Sequence, residues 1–436
     1  MQHVKVFLLC TLTLFCFSQA AITANWPQWR GPGQNGSSPE TGLPEIKDPN
    51  DALWVASLPG VGTSTPIVWE SQVFITAADK VSKTVVGLAL DTVTGKILWQ
   101  VPLGDNRTVF GLYDMTAPSP VTDGKYVWFM TGNGQLAAFT MAGKPVWQRD
   151  LAKDYGQIEI IFGYTSSPLL YDGKLYIVVL QNDKPNTYGM NVDRKEPLES
   201  YLLALDPATG KTLWKQNRDT DAEGESREAY VTPYPYQWQG RKEIILAGGE
   251  CVTGHDSNTG AELWRWWFTP ADRKTYQHNV PTPVAQDGLI FVIRPERRPM
   301  FAIRAGGKGL LDDTIVAWTY QDNHCCIASP CLYRDRLYVL QEQEKAMVCI
   351  EPKTGRIVWQ HELPVKEVFQ ATPTAADGKI YCISMNGEIV VLAAGDEYRL
   401  VSVAKVNEKF CRSAIVPAAG KLYIRAGSKL RCFGKR

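Results

Sequence analysis

The stretch Leu203-Ala204-Leu205-Asp206-Pro207-Ala208-Thr209-Gly210-Lys211-Thr212-Leu213-Trp214 decides the fold. An apolar run ends in an acidic residue, turns at Thr-Gly, and runs again to a tryptophan. Asp206 can accept hydrogen bonds from the turn's own backbone, and Gly210 takes the left-handed position. The phrase returns at Leu88-Ala89-Leu90-Asp91 with Thr94-Gly95-Lys96-Ile97-Leu98-Trp99. It returns again at Thr259-Gly260 to Trp264 and at Thr354-Gly355 to Trp359, with weaker copies ending at Trp147 and Trp318. Upstream of each copy stands a second landmark, Ser/Thr-Pro before a short apolar strand: Thr65-Pro66, Ser119-Pro120, Ser167-Pro168, Thr232-Pro233, Thr282-Pro283, Ser329-Pro330 and Thr372-Pro373. Between the landmarks lies a hairpin, often turning at Asp-Gly, as at Asp123-Gly124, Asp172-Gly173, Asp287-Gly288 and Asp377-Gly378.

Four short antiparallel strands recurring every ~50 residues are the signature of a β-propeller blade. An eighth copy, from Ser413 to Phe433, supplies three strands, and Leu53-Trp54 is an orphan fourth strand before the first Thr-Pro. Together they complete one blade. The expectation is an all-β, eight-bladed propeller of four-stranded blades over residues 25–436. An N-terminal strand pairing with the C-terminal blade closes the ring, so no edge stays free. Abundant Gly (36), Pro (27) and Tyr (18) suit such a turn-rich fold. Half of the 14 tryptophans occupy the fourth-strand position, which assigns them to packing between blades.

Strand parity says where function can reside. First-to-second and third-to-fourth turns share one face and are tight. The opposite face carries the long connections: 102–116, 181–198, 219–228 and 265–280. Binding residues favour long loops on a rigid scaffold. Residues just before each Ser/Thr-Pro lead into the innermost strand and so ring the channel mouth: Thr63, Thr116, Tyr164, Tyr230, Asn279, Cys326, Gln370 and Arg412, with Glu228 and His278 close by. They either hydrogen-bond neighbouring blades around a water-filled tunnel or grip a ligand or a partner's loop.

Lys5 followed by the apolar run Val6–Phe17 and Ser18-Gln19-Ala20 reads as a cleaved signal peptide within residues 1–24. No Cys is preceded as a lipobox requires, and no run is long enough for a membrane span, so a periplasmic or secreted product is expected. Losing Lys5 brings 46 basic against 45 acidic residues to parity, which speaks against nucleic acid. Ten cysteines become eight with the leader gone. Cys325 and Cys326 could form an adjacent disulfide or remain two thiols. No C-x-x-C pair or histidine cluster marks a metal site. His255, His278, His324 and His361 are scattered beside no nucleophile motif, so no catalytic residues are assigned, and Gly306-Gly307-Lys308-Gly309 reads as a loop.

The repeated A-L-D-x-x-T-G-K-x-L-W pattern resembles the pyrroloquinoline-quinone-like (PQQ-like) β-propeller repeat family. The opening Trp26-Pro27-Gln28-Trp29-Arg30-Gly31-Pro32 looks like the N-terminus of its large secreted bacterial branch. The resemblance covers essentially the whole mature chain and implies the fold. Its members include quinoprotein dehydrogenases of alcohols and sugars, and similar repeats build the non-catalytic propeller subunit of the outer-membrane β-barrel assembly machinery. Two functions follow from it, a non-catalytic binding or scaffolding protein for an envelope protein or peptide and a quinone-dependent oxidoreductase; the aromatic loops add a third, a carbohydrate-binding propeller. PQQ with Ca²⁺ belongs to the second alone. The quinoproteins carry their adjacent cysteines in an early blade, so Cys325-Cys326 does not match by position, and no C-x-x-C-H haem signature is present. The expected form is a monomeric, non-catalytic binding propeller.

Overall fold

Each repeat landmark turns out to be a joint between blades. In the computed structural model, which describes residues 24–107, 115–182, 198–268, 278–294, 299–323 and 325–435, the strands assemble into eight sheets of four or five strands. The first blade comprises Ile67–Trp69, Gln72–Ala78, Thr84–Asp91 and Ile97–Asp105, each strand antiparallel to the next. The last comprises Val416–Ala418, Lys421–Ala426 and Lys429–Gly434, completed by Trp54–Ser57 from the other end of the chain. Its register sets Trp54 opposite Cys432 and Ser57 opposite Lys429, which closes the ring as the orphan strand implied.

The Thr-Gly turn exists to receive a tryptophan. Gly95 has φ +70, and a Cβ there would lie 2.5 Å from the ring of Trp54 on the preceding blade. Gly143, Gly210, Gly260 and Gly355 meet Trp99, Trp147, Trp214 and Trp318 in the same way. The indole nitrogens bond into the same turns: Trp54 Nε1 donates to Thr92 O at 3.1 Å and Trp147 Nε1 to Pro207 O at 2.8 Å. Trp54, Trp99, Trp147, Trp214 and Trp318 thus clamp the next blade, where only glycine permits both the conformation and the close approach, whereas Trp264 turns back to Glu243 Oε2 of its own blade.

The Ser/Thr of Ser/Thr-Pro forms a girdle at the centre. Thr65 N donates to Ser119 Oγ, Ser119 N to Ser167 Oγ, Ser167 N to Thr232 Oγ1, and Thr232 N to Thr282 Oγ1, all between 2.9 and 3.0 Å. Thr282 N continues to Ser329 Oγ and Ser329 N to Thr372 Oγ1, while Ala414 N returns to Thr65 Oγ1 at 3.3 Å. The eighth position, Ala414, carries no hydroxyl.

Two features depart from the sequence reading. Part of the Gly306–Gly309 stretch, expected as loop, leads into Gly309–Leu311, which pairs in parallel with Glu262–Trp267 as a fifth strand of the fourth blade. The N-terminal segment is also more than a lead-in. Trp26 pairs with Val68, Thr122 N donates to Pro27 O at 2.9 Å, and Leu170 N to Gln28 Oε1 at 3.2 Å. Arg30 donates to Thr282 O and Pro330 O. Leu332 N donates to Asn35 O, and Ser37 bridges Ala375. These partners belong to six different blades, so the segment crosses the ring axis at the tight-turn end and plugs the channel. A through-tunnel is therefore replaced by a blind one.

No helix among the described residues is long and apolar enough to cross a membrane. The expected leader, His324, most of 181–198 and 265–280, and half of 102–116 lie outside the described residues. Of the long connections, 219–228 is described throughout and carries a short 3₁₀ turn at Gly224–Arg227.

Candidate binding cavity

Above the plug, on the loop-rich face, the channel opens as a cavity of about 360 Å³ floored by Trp29. Its wall is built by one rule. The residue two before each landmark position faces the axis: Thr63, Ala117, Thr165, Tyr230, Val280, Ile327, Gln370 and Arg412 all line it. Girdle hydroxyls, among them Thr65, Ser119, Ser167 and Thr372, form the next tier down.

That rule sorts the sequence candidates. Thr63, Tyr230, Gln370 and Arg412 sit two residues before the landmark and line the cavity, joined by His278 and Cys326. Thr116, Tyr164 and Asn279 sit three before it, and the alternation of an extended chain turns them the other way. Thr116 Oγ1 accepts from Thr63 N at 3.0 Å, Tyr164 OH donates to Val178 O at 2.9 Å, and Asn279 Nδ2 to Ile293 O at 3.3 Å. All three are buried between blades, so their expected place at the mouth is corrected to packing. Glu228 is buried behind the wall, where its Oε2 accepts from Ile161 N at 3.0 Å and lies 3.4 Å from the Tyr230 hydroxyl. Sequence inspection missed Phe162 and Trp29. Phe162 lies outside the landmark alignment, and Trp29 arrives from the distant N-terminus.

The cavity has two chemically distinct sides. Phe162, Tyr230 and His278 cluster on one: Tyr230 and His278 centroids are 4.9 Å apart at 67°, and Phe162 and His278 are 5.3 Å apart. Glu225 Oε1 holds His278 Nδ1 at 2.8 Å from behind. Burial pushes the Glu228 carboxyl up to about 8, opposed by the Ile161 N–H and reinforced by Glu225. Burial likewise raises the Tyr230 phenol well above its ordinary value. The other side carries Gln370, Arg412 and Thr63. Between the two, Cys326 and Ile327 hang on a loop pinned by Glu342. This buried carboxyl accepts the N–H of Cys326 at 2.8 Å, of Ile327 at 2.6 Å, and of Ala328.

The remaining sequence candidates for chemistry are structural. Cys325 and Cys326 are separate thiols rather than an adjacent disulfide, with Cys325 Sγ donating to Ala328 O at 2.9 Å. His255 is buried between Gly260 O and Thr253 Oγ1, and burial lowers it to about 4, so it stays neutral. Bound Ca²⁺ takes six to eight oxygen ligands, mostly carboxylate and carbonyl. Among the described residues the cavity wall includes no Asp, Glu or Asn, and no group of three His, Cys, Asp or Glu could hold a metal. Among the described residues the donor set does not fit a Ca²⁺-supported quinone.

A family model described as outer membrane protein assembly factor BamB matches residues 45–200 and 327–421, more than half of the chain. The chain is 22% identical over 275 residues to quinohemoprotein alcohol dehydrogenase ADH IIB of Pseudomonas putida, covering 58% of this chain and 34% of that enzyme. It thus spans about a third of that relative's length. BamB from Moraxella catarrhalis superposes at TM-score 0.59 with 12% identity, over 88% of this chain and 99% of BamB. The quinohemoprotein alcohol dehydrogenase of Comamonas testosteroni superposes at 0.68 with 13% identity, over 96% of this chain and 82% of that one. At such identities the likeness to solved structures carries the fold alone.

Proposed function

The chain belongs to the PQQ-like propeller family described by the outer membrane protein assembly factor BamB, and from that premise we propose that it is a non-catalytic binding or scaffolding propeller of the bacterial envelope. It holds a polypeptide partner on its loop-rich face. The observation that carries this reading is the cavity's donor set: aromatic rings, hydroxyls, one amide, one imidazole, one thiol and one guanidinium converge there, with no carboxylate lining it among the described residues. Such a wall recognises shape and hydrogen bonds, and its one imidazole, His278, is held from behind by Glu225 rather than set beside a nucleophile motif. The family description, which names assembly of outer-membrane proteins, supports a polypeptide over a sugar as the occupant.

A photo-crosslinking residue at Gln370, on the rim, tests the reading in the native envelope. A discrete polypeptide adduct is expected there and absent from the same probe at Lys96 on the tight-turn face. Equal adducts at both positions, or none at either, would refute it. Sugar-array binding without any adduct would favour the carbohydrate reading instead.

A further inference from the structure

The cavity's two sides face each other across the ring. Tyr230 stands between the third and fourth blades and Arg412 between the seventh and eighth, so four blades separate them in either direction. Phe162 and His278 flank Tyr230 on neighbouring connectors. The aromatic side is backed by the carboxyl of Glu225 on His278. Arg412 is the one guanidinium among the lining residues, so an anionic group is drawn to it, where the charged planar fork favours a carboxylate. The floor is Trp29, and the plug beneath it stops any chain from threading through. At about 360 Å³ the space lies at the lower end of the ~300–1,000 Å³ range of ligand pockets.

A blind, small, polarised cavity suits the end of a chain. An internal segment would have to enter and leave by the same mouth, whereas a C-terminal residue enters once. It also joins a carboxylate and a side chain on one Cα. Resting on the polypeptide-binding reading above, we propose that this cavity receives the C-terminal residue of the partner, its carboxylate on Arg412 and its bulky apolar side chain against Phe162, Tyr230 and His278.

Calorimetric titration of the mature chain with the tripeptide Gly-Ala-Phe, its C-terminal amide and phenylpropionate tests this. The free-acid peptide is expected to bind, amidation to weaken it at least tenfold, and Arg412→Gln to weaken the acid by a similar factor while leaving the amide unchanged. The amide comparison needs no variant and stands even where Arg412→Gln unfolds. Equal binding of acid and amide, or no binding of either, overturns the proposal. Phenylpropionate binding as tightly as the peptide also overturns it, by making the cavity a small-acid site. A Gln370 adduct that persists while amidation is without effect removes only this inference. Tripeptide binding with no adduct in the envelope removes the scaffold reading and leaves the site.

Discussion

Thr232→Val keeps the side-chain volume and deletes the acceptor for the buried Ser167 N–H. Leaving a buried donor unmade costs about 1–3 kcal/mol, so the urea midpoint should fall accordingly, and the equivalent change at exposed Thr259 should cost less. Glu228 supplies the pH counterpart. Its folded value of about 8 lies above its ordinary value of 4.5, so the folded chain holds an extra proton between the two. Stability from this group is then full below about 4.5 and declines as pH rises towards 8. Glu225 and Tyr230 are the titratable groups that act on it, and His278 is held in turn by Glu225. Glu228→Gln retains an acceptor for Ile161 N–H and should flatten that decline, raising the melting temperature relative to the parent more at pH 9 than at pH 5. An unchanged difference across that range would mean the carboxyl is ionised throughout. At this scale the sequence was half legible. The landmark located the mouth, but taking residues two and three before it together mixed wall with packing. Tyr164 and Tyr230 look alike in sequence and point in different directions, because one residue of offset reverses an extended side chain.

At the scale of elements, the outer strands were readable because each is bounded by chemistry that allows little substitution: Gly at positive φ under a tryptophan, and a hydroxyl before proline. The same logic exposed Leu53-Trp54 as an orphan, since a fourth-strand tryptophan with no strands before it must belong elsewhere. The plug left no such trace. Trp26 to Ser37 has neither a two- nor a three-residue period, and its anchors are side-chain and carbonyl bonds to residues from Val68 to Ala375, which no local pattern encodes. The parallel strand Gly309–Leu311 was hidden for a related reason: three residues pairing with another blade carry no periodicity of their own. The joint made by Trp54–Ser57 is open to test. A chain beginning at Leu58 should leave Lys429–Gly434 as an unpaired edge and remove the ring on which Gly95 closes. It should melt lower and elute as aggregates in size-exclusion chromatography. A truncated chain as monomeric and heat-resistant as the parent would show that the ring closes without its latch.

For the whole molecule, the N-terminal segment does two jobs at opposite radii: it seals the axis and completes the rim of the last blade. The channel cavity therefore opens at the loop-rich end. What that end can do depends on the groups that reach it, and the ring geometry limits these to one side chain per blade from the position two before the landmark, plus a few from the connectors. Eight blades could have presented carboxylates and amides there. This chain presents Thr63, Ala117, Thr165, Tyr230, Val280, Ile327, Gln370 and Arg412. The likeness to quinohemoprotein alcohol dehydrogenases is one of fold, which any occupant of the channel can share, and among the described residues this wall offers no carboxylate to hold a cation. Incubating the mature chain with PQQ, Ca²⁺, a dye acceptor and a panel of primary alcohols and aldoses should therefore give no dye reduction above the protein-free control. If turnover appears and is lost on chelating Ca²⁺, the oxygen ligands come from connectors outside the described residues, and the propeller is an oxidoreductase after all. If PQQ alone raises the melting temperature without turnover, the cavity accepts a flat carboxylate through Arg412 and Trp29 but cannot activate it, as the wall chemistry requires.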